Sequence, residues 1–456
     1  MMNGIRLVLT DAIHTSLRGH LFPGDGKEAA AILLCNRYEG DPMKLLAKDF
    51  ILVPHHECKV RTEVAITWPG IYLEAAIDRA QSNSMSIILV HSHPGGFLEF
   101  SDIDDESDRS TMPSLYEGVD VIHGSAIMIE TGEMRARLYN AGDLMGTVEL
   151  ITFAGDNISY WWADGAGTQS SPMAFTSGMT AMLSRLRVAV IGVSGTGSIV
   201  AEQLSRLGFG ELILVDDDHV EIKNLNRILN STLADAQSER SKVEMFAAAV
   251  LKIRGTAAAI PMHQQISTRE AVLKVASADL IFCCVDTHNG RMYLDRLASY
   301  FLIPLFDVGV KIPTHVDPED GRVISDVLGR IDYVKPGGTM LSDRKVYTPE
   351  SLNQEYLFLS DPDAYQEQLE LGYIPGIQEE APAVITLNMR AASACVSEFV
   401  ARAFPFREES NDHYARTLFS LAGCYEDHYS EGYFAKTENI YLGDGPSEPL
   451  LGIPGL

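Results

Sequence analysis

One passage in the middle of the chain leaves few folds open to it. Leu186 to Gly192 (LRVAVIG) is a short, almost wholly apolar run, which reads as a strand buried on both faces. A glycine-rich turn follows, then the helical pattern SIVAEQLSRLG, then a second strand, ELILVDDD. DLIFCCVD and PLFDVGV continue the alternation as later strands. Strands separated by helices in this way predict a parallel, doubly wound, Rossmann-like sheet. A long helix is expected at 382–404.

At 456 residues the chain is too long for one ordinary core, and two domains are expected. The first 150 residues have a different texture. AAAILLC (29–35) and KDFILV (48–53) read as strands, PGIYLEAAIDRAQSN (69–83) as a helix, and MSIILV (85–90) as a strand running into His91. Short strands follow near VDVIHGSAIMI and EMRARLYN, an α+β pattern. Between them the chain turns rich in Gly, Ser and Ala, which reads as a linker with Trp161 and Trp162 pinning it to one domain. The expected division is therefore 1–153, a linker at 154–178, and 179–456, α/β overall.

The formal net charge of −26 disfavours general nucleic-acid binding, because such a surface repels phosphate backbones. No run of 18 apolar residues is present, so no membrane association is expected. The six cysteines, at 35, 58, 283, 284, 395 and 424, form no CxxC pair. A reducing cytoplasm is the simplest setting for them.

The sharpest local pattern is His91-Ser-His93, seven residues, then Ser101-Asp-Ile-Asp104. Two histidines two apart at the end of a strand face the same way. Ser101 suits a helix N-cap, which places Asp104 one turn in. Two imidazoles and a carboxylate give three ligands to zinc and leave a fourth position for water, the open arrangement of a catalytic site. A general base must still move a proton to the leaving amine. Glu28, entering the strand EAAAILL, is the candidate, with Glu39 in RYEGDP its nearest rival. Ser101 is the candidate donor to a developing oxyanion.

HSHPGGFLEFSDID resembles the JAB/MPN (JAMM) metallopeptidase signature, HxH(P)-x7-SxxD, and the resemblance covers about residues 5–150. It implies His91, His93 and Asp104 as zinc ligands, Glu28 as acid/base and Ser101 as oxyanion helper. It also implies cleavage of peptide or isopeptide bonds after ubiquitin-like or sulfur-carrier-like tails.

In the second half, Gly192, Gly195, Gly197 and Ser198 stand where glycines let phosphates approach a helix N-terminus. A strict GxGxxG would need glycine at Val200, which counts against a dinucleotide oxidoreductase. Asp216 ends the next strand and suits a ribose hydroxyl in either reading. Downstream come Asp218, Asn224, Arg227, Lys242 and Asp286-x4-Arg291. Cations to neutralise phosphates and a carboxylate for magnesium suit an adenylating site.

Together these residues resemble the ThiF/MoeB/HesA branch of the ubiquitin-activating superfamily, over about residues 175–405. The resemblance implies Asp216 on the ribose, Asn224, Arg227 and Lys242 on the phosphates of ATP, Asp286 on Mg2+, and Asp218 within the same site. It also implies a homodimer through this domain. Where many relatives carry P-G-G-x-C, this chain has Pro336-Gly-Gly338-Thr-Met340, and methionine cannot form a thioester. The acyl-adenylate then passes directly to another protein, or Cys395 or Cys424 serves, or no transfer occurs.

Fusions of this order resemble proteins of bacterial ubiquitin-like conjugation operons, some linked to phage defence. The expectation is a bifunctional enzyme: a zinc (iso)peptidase that trims or removes a ubiquitin-like tail, and an ATP-dependent activity that adenylates its C-terminus. The expected partners are a protein ending in Gly-Gly and a conjugating enzyme. The alternative is an active peptidase whose nucleotide domain serves for partner binding or sensing.

Overall fold

The structure, a computed structural model, describes residues 4–166, 177–317, 321–370 and 385–456. The chain forms two compact units. The first holds Met1–Gln169 with Ser299–Leu302 and Asn439–Gly452, and the second holds the remainder.

In the first unit the chain runs β1 (Ile5–Thr10), α1 (Asp11–Leu21), β2 (Ala30–Tyr38), β3 (Met43–Leu52), the short pair β4 (Val60–Arg61) and β5 (Ile66–Thr67), and α2 (Ile71–Gln81). It continues through β6 (Ser86–Ser92), α3 (Asp102–Gly118), β7 (His123–Met128), β8 (Met134–Asn140), β9 (Asp143–Thr147), β10 (Leu150–Ala154) and β11 (Ile158–Trp162). Nine strands make one mixed sheet, ordered β11-β10-β1-β3-β2-β6-β7-β8-β9. Its central strand β2 is apolar because both faces are covered. Ala31, Leu33 and Cys35 enter a core with Leu17 and Leu21 of α1. Ile32 and Leu34, pointing the other way, meet Ala76 of α2 with Met112 and Leu115 of α3.

The structure differs here from the expected domain division. The segment read as a linker begins with a strand: β11 pairs antiparallel with β10, and Trp161 enters the first core. Five strand residues in a Gly/Ser/Ala-rich stretch carry too little periodicity to stand out. Residues 167–176 lie outside the described ones. Asn439–Gly452, expected with the second domain, belongs to the first unit, where Asn36 Nδ2 donates to the Gly443 carbonyl at 2.9 Å.

The second unit runs α4 (Ser177–Leu183), β12 (Arg187–Ile191), α5 (Gly195–Leu207), β13 (Glu211–Val215), α6 (Leu233–Gln237), α7 (Lys242–Arg254), β14 (Ala259–Met262), α8 (Arg269–Ala276), β15 (Leu280–Cys283), α9 (His288–Tyr300) and β16 (Leu305–Lys311). The hairpin β17 (Thr314–Asp317) and β18 (Gly321–Ile324) follows, then β19 (Leu328–Val334), α10 (Pro349–Ser360), α11 (Pro362–Glu370), α12 (Ile385–Ala403), β20 (Arg416–Ser420) and β21 (Tyr425–Tyr429). The eight-stranded sheet is ordered β14-β13-β12-β15-β16-β19-β20-β21. Its first five strands are mutually parallel, and β19 to β21 extend it antiparallel. The strand order reverses at β12, so the carboxyl ends of β12, β13 and β15 surround a switch-point crevice, where ligands of such sheets bind.

Candidate metal and nucleotide sites

Strand β6 brings His91 to its carboxyl end, paired with Ala30 of β2 and Ile127 of β7. His93 lies two residues on, its N–H donating to the Met128 carbonyl at 2.8 Å. Between them Ser92 points the opposite way, and its hydroxyl accepts the N–H of Ala29 at 2.8 Å. That bond secures the entry to β2 and with it the preceding residue, Glu28.

Helix α3 supplies the third member. Ser101 is its N-cap in a capping box with Asp104. The Ser101 N–H and hydroxyl donate to Asp104 Oδ2 at 2.6 and 2.8 Å, while Oδ1 lies 3.0 Å from His91 Nε2. His93 Nε2 is 3.6 Å from Asp104 Oδ2, and the two imidazole Nε2 atoms are 3.0 Å apart. The ligand atoms of His91, His93 and Asp104 all lie within 4.8 Å of one another. His93 Nδ1 bonds the Phe97 carbonyl at 2.8 Å, which leaves Nε2 for a metal. This donor set fits zinc, and the structure brings the three residues of the sequence pattern together.

Glu28 is buried and lines the same cleft as His91 and Asp104, a space of about 280 Å³ also bounded by Trp68, Leu73 and Ile103. Burial pushes the Glu28 carboxyl up, against the pull of His91 and His93. Burial would raise Asp104 too, but its bonds to both histidines hold it well below the usual carboxylate range. The rival Glu39 is exposed, is paired with Arg37 and does not line this cleft. Ser101 directs its hydroxyl at Asp104.

The sequence reading missed a buried network behind α3. Asp108 accepts from the Tyr139 hydroxyl and Arg137 Nε, both at 2.9 Å, and from the Ser125 hydroxyl. Arg137 also bonds Asp105, and its guanidinium lies 3.9 Å from the Phe100 ring centroid. Arg137 thereby grips both the approach to α3 and its first turns.

In the second unit the glycine turn joins β12 to α5. Gly192 has φ +85°, and a β-carbon on Gly197 would lie 1.6 Å from the Gly192 carbonyl oxygen, so only glycine fits there. Asp216 closes on the turn: Oδ2 accepts the Val193 N–H at 2.6 Å and Oδ1 the Asp218 N–H at 2.9 Å. Burial raises the Asp216 carboxyl, and Lys242 opposes it. Lys242, buried at the start of α7, has Nζ 2.6 Å from Asp218 Oδ2 and 3.9 Å from Asp216.

Asn224 is buried and its Oδ1 accepts the Glu221 N–H at 3.1 Å. Arg227 reaches Gly195, where a β-carbon would meet its Cδ at 3.2 Å. Ser198 is buried in α5, its hydroxyl accepting the Leu229 N–H. Asp286 is exposed on the loop after β15, and its carbonyl accepts Arg291 Nη1 at 3.2 Å. Asp286 belongs to neither group of three metal-competent side chains among the described residues; the second group is Asp216, Asp217 and Asp218.

Met340 lies in a segment whose backbone is tied down. Its N–H donates to Asp343 at 2.9 Å, and the neighbouring Thr339 hydroxyl accepts from Arg344. Cys283 and Cys395 are buried, which pushes both thiols well up, and burial raises Cys284 likewise. Cys424 is exposed.

Comparison with known proteins bears on both sites. Residues 10–139 match the family described as prokaryotic homologs of the JAB domain, and residues 169–346 match the ThiF family. The chain is a fusion of a JAB domain and a ThiF domain. Ubiquitin-like modifier-activating enzyme 5 of Aedes aegypti is 31% identical over 164 residues, covering 33% of this chain and 38% of that one. Its Caenorhabditis briggsae counterpart is 32% identical over 163 residues, covering 33% and 34%. The chain thus spans little more than a third of the length of these relatives. A structure of E. coli MccB with ATP aligns over 59% of this chain and 71% of its own, at 15% identity and a TM-score of 0.44. No helix of the described residues is long and apolar enough to cross a membrane.

Proposed function

We propose that the JAB unit is a zinc-dependent (iso)peptidase, and that the ThiF unit adenylates the C-terminus of the ubiquitin-like protein whose tail the peptidase trims or releases. The observation that carries the first half is the convergence of His91, His93 and Asp104 on one edge of a cleft that also holds a buried Glu28. Zinc held there would polarise the scissile carbonyl and ready a water for attack. Glu28, its carboxyl raised by burial, takes the proton from that water and returns it to the leaving amine. Ser101, whose hydroxyl donates to Asp104 Oδ2 at rest, is the residue proposed to turn that O–H to the oxyanion during the reaction.

In the ThiF unit, the glycine turn and the N-terminus of α5 receive the phosphates of ATP. Asp216 holds the ribose, and Lys242 with Arg227 and Asn224 neutralises the triphosphate. Asp218 releases Lys242 to the phosphates when nucleotide binds, and Asp286 would hold the Mg2+ that screens them. The partner's carboxylate attacks the α-phosphorus, forming an acyl-adenylate and releasing pyrophosphate. With Met340 at the position of a thioester cysteine, the acyl group passes directly to a nucleophile on another protein. The free thiols fit a cytoplasmic enzyme of a bacterial ubiquitin-like system, acting as a homodimer through the ThiF unit.

A second reading, a ThiF unit that only binds or senses, draws on the pairing of Lys242 with Asp218 and Asp216. Calorimetric titration with Mg-ATP and NAD decides the issue. Micromolar Mg-ATP binding that weakens in Lys242→Ala, with NAD silent, supports the activating enzyme. A folded protein that binds neither leaves the ThiF unit a scaffold.

A further inference from the structure

Asn388 has no part in the reading above. It lies in the first turn of α12 and is 5% exposed, on a helix whose other buried positions include Ala391, Ala392, Cys395, Val396 and Phe399. Its side chain makes no hydrogen bond among the described residues. Buried amides almost always have a partner, so an unpaired one marks a place where a ligand or water completes the structure. The direction of this amide says which. A β-carbon on Gly195 would lie 2.5 Å from Asn388 Nδ2, nearer than the 3.2 Å to Arg227 Cδ.

Gly195 is the first residue of α5, a helix of thirteen residues. The first N–H groups of such a helix have no acceptor within it and attract anions. A β-carbon at 195 would collide with that amide, so glycine is what lets the Asn388 carboxamide lie against the start of the helix. Two kinds of donor therefore face one position, backbone N–H groups and a buried carboxamide, while the Arg227 stem packs beside them and its Nη1 bonds Lys223 and Asn226.

We propose that Asn388 is a phosphate-binding residue of the nucleotide site, its amide N–H donating to a phosphate oxygen seated at the N-terminus of α5. The inference rests on the reading of the ThiF unit as ATP-binding. It assigns to α12 a direct part in holding the triphosphate, from a position far in sequence from the glycine turn.

The test is calorimetric titration of the full-length protein, its Asn388→Ala variant and the near-isosteric Asn388→Asp, with Mg-ATP and with adenosine, which has no phosphate. Asn388→Ala is expected to weaken Mg-ATP about tenfold, as loss of one hydrogen bond to a charged group does. Asn388→Asp weakens it further, because a carboxylate repels phosphate, and it preserves the packing should the alanine variant not fold. Adenosine affinity stays within about twofold in both. Mg-ATP binding by both variants at the level of the parent, or equal loss of ATP and adenosine, overturns the assignment. If the parent itself does not bind Mg-ATP, the ATP-binding reading fails, and this inference with it.

Discussion

Two carboxylates share the JAB cleft, and their surroundings push them apart. Glu28 is raised by burial, whereas Asp104, bonded to both histidines and to the cap of α3, is held low. In the proposed mechanism such a split separates a proton carrier from a ligand that must stay ionised. Glu28→Gln should keep the zinc content of the parent and lose about 10²–10⁴-fold in hydrolysis of a Gly-Gly-aminocoumarin peptide. Asp104→Asn should lose zinc along with activity. A Glu28→Gln enzyme within tenfold of the parent would remove Glu28 from proton transfer. His91, His93 and Asp104 were legible in the sequence because one strand end and one helix cap, close together in the chain, fix their geometry. Glu28 was harder to place, since only the register of β2 against β6, a tertiary pairing, brings it to the site. Asn388 was not legible at all: nothing in α12's own pattern says that its first turn meets Gly195.

At the scale of elements, α3 must hold Asp104 still although its outer face is largely solvent. The Arg137 clamp does this from β8, through Asp105, Asp108 and Phe100. Arg137→Met leaves Asp108 buried without its cation, a loss of roughly 3–5 kcal/mol. Urea unfolding should show it, and Arg137→Met combined with Asp108→Asn should recover part of the loss. No recovery would mean that the arginine acts by packing alone. A second tie lies on α9, where buried Asp295 accepts from Leu341 N–H at 3.0 Å, Ser342 N–H at 3.3 Å and the Tyr347 hydroxyl at 2.8 Å. Burial lifts its carboxyl to about 6. The folded state thus keeps a proton that the unfolded chain releases. That stabilisation is full below the ordinary carboxylate range and is lost as pH rises through about 6. Relative to Asp295→Asn, the parent should lose roughly 2–3 kcal/mol between pH 4 and pH 7. A constant difference across that range would show that Asp295 titrates normally. The parallel strands behind this scaffold were readable as apolar runs. The antiparallel extension β19 to β21 was not, because β21 is almost wholly exposed and has no buried face to pattern.

For the molecule as a whole, each proposed site draws every one of its residues from one unit: 28, 91, 93, 101 and 104 from the first, 192 to 388 from the second. The two halves were legible as a change of texture, whereas the return of Asn439–Gly452 to the first unit was not. That stretch is broken by Gly and Pro and aperiodic, and its anchors, Asn36 and Lys48, lie at the other end of the chain. Because no residue is shared, zinc and nucleotide should be separable. Zinc binding depends on deprotonated imidazoles and a carboxylate, so a chelator such as phenanthroline should abolish peptide hydrolysis, and added zinc should restore it. Nothing in the glycine turn, Asp216 or Lys242 senses that loss, so Mg-ATP affinity should stay within about twofold. Lys242→Ala should do the reverse, with zinc content and hydrolysis retained and Mg-ATP weakened by at least tenfold, since a buried cation facing phosphate contributes more than about 1.4 kcal/mol. Hydrolysis and nucleotide binding measured on the same preparations check both arms. If chelation shifts Mg-ATP affinity by tenfold, the sites are coupled through a change in the protein. If neither treatment crosses over, the fusion serves to hold a trimming and an activating site at high effective concentration for one partner tail.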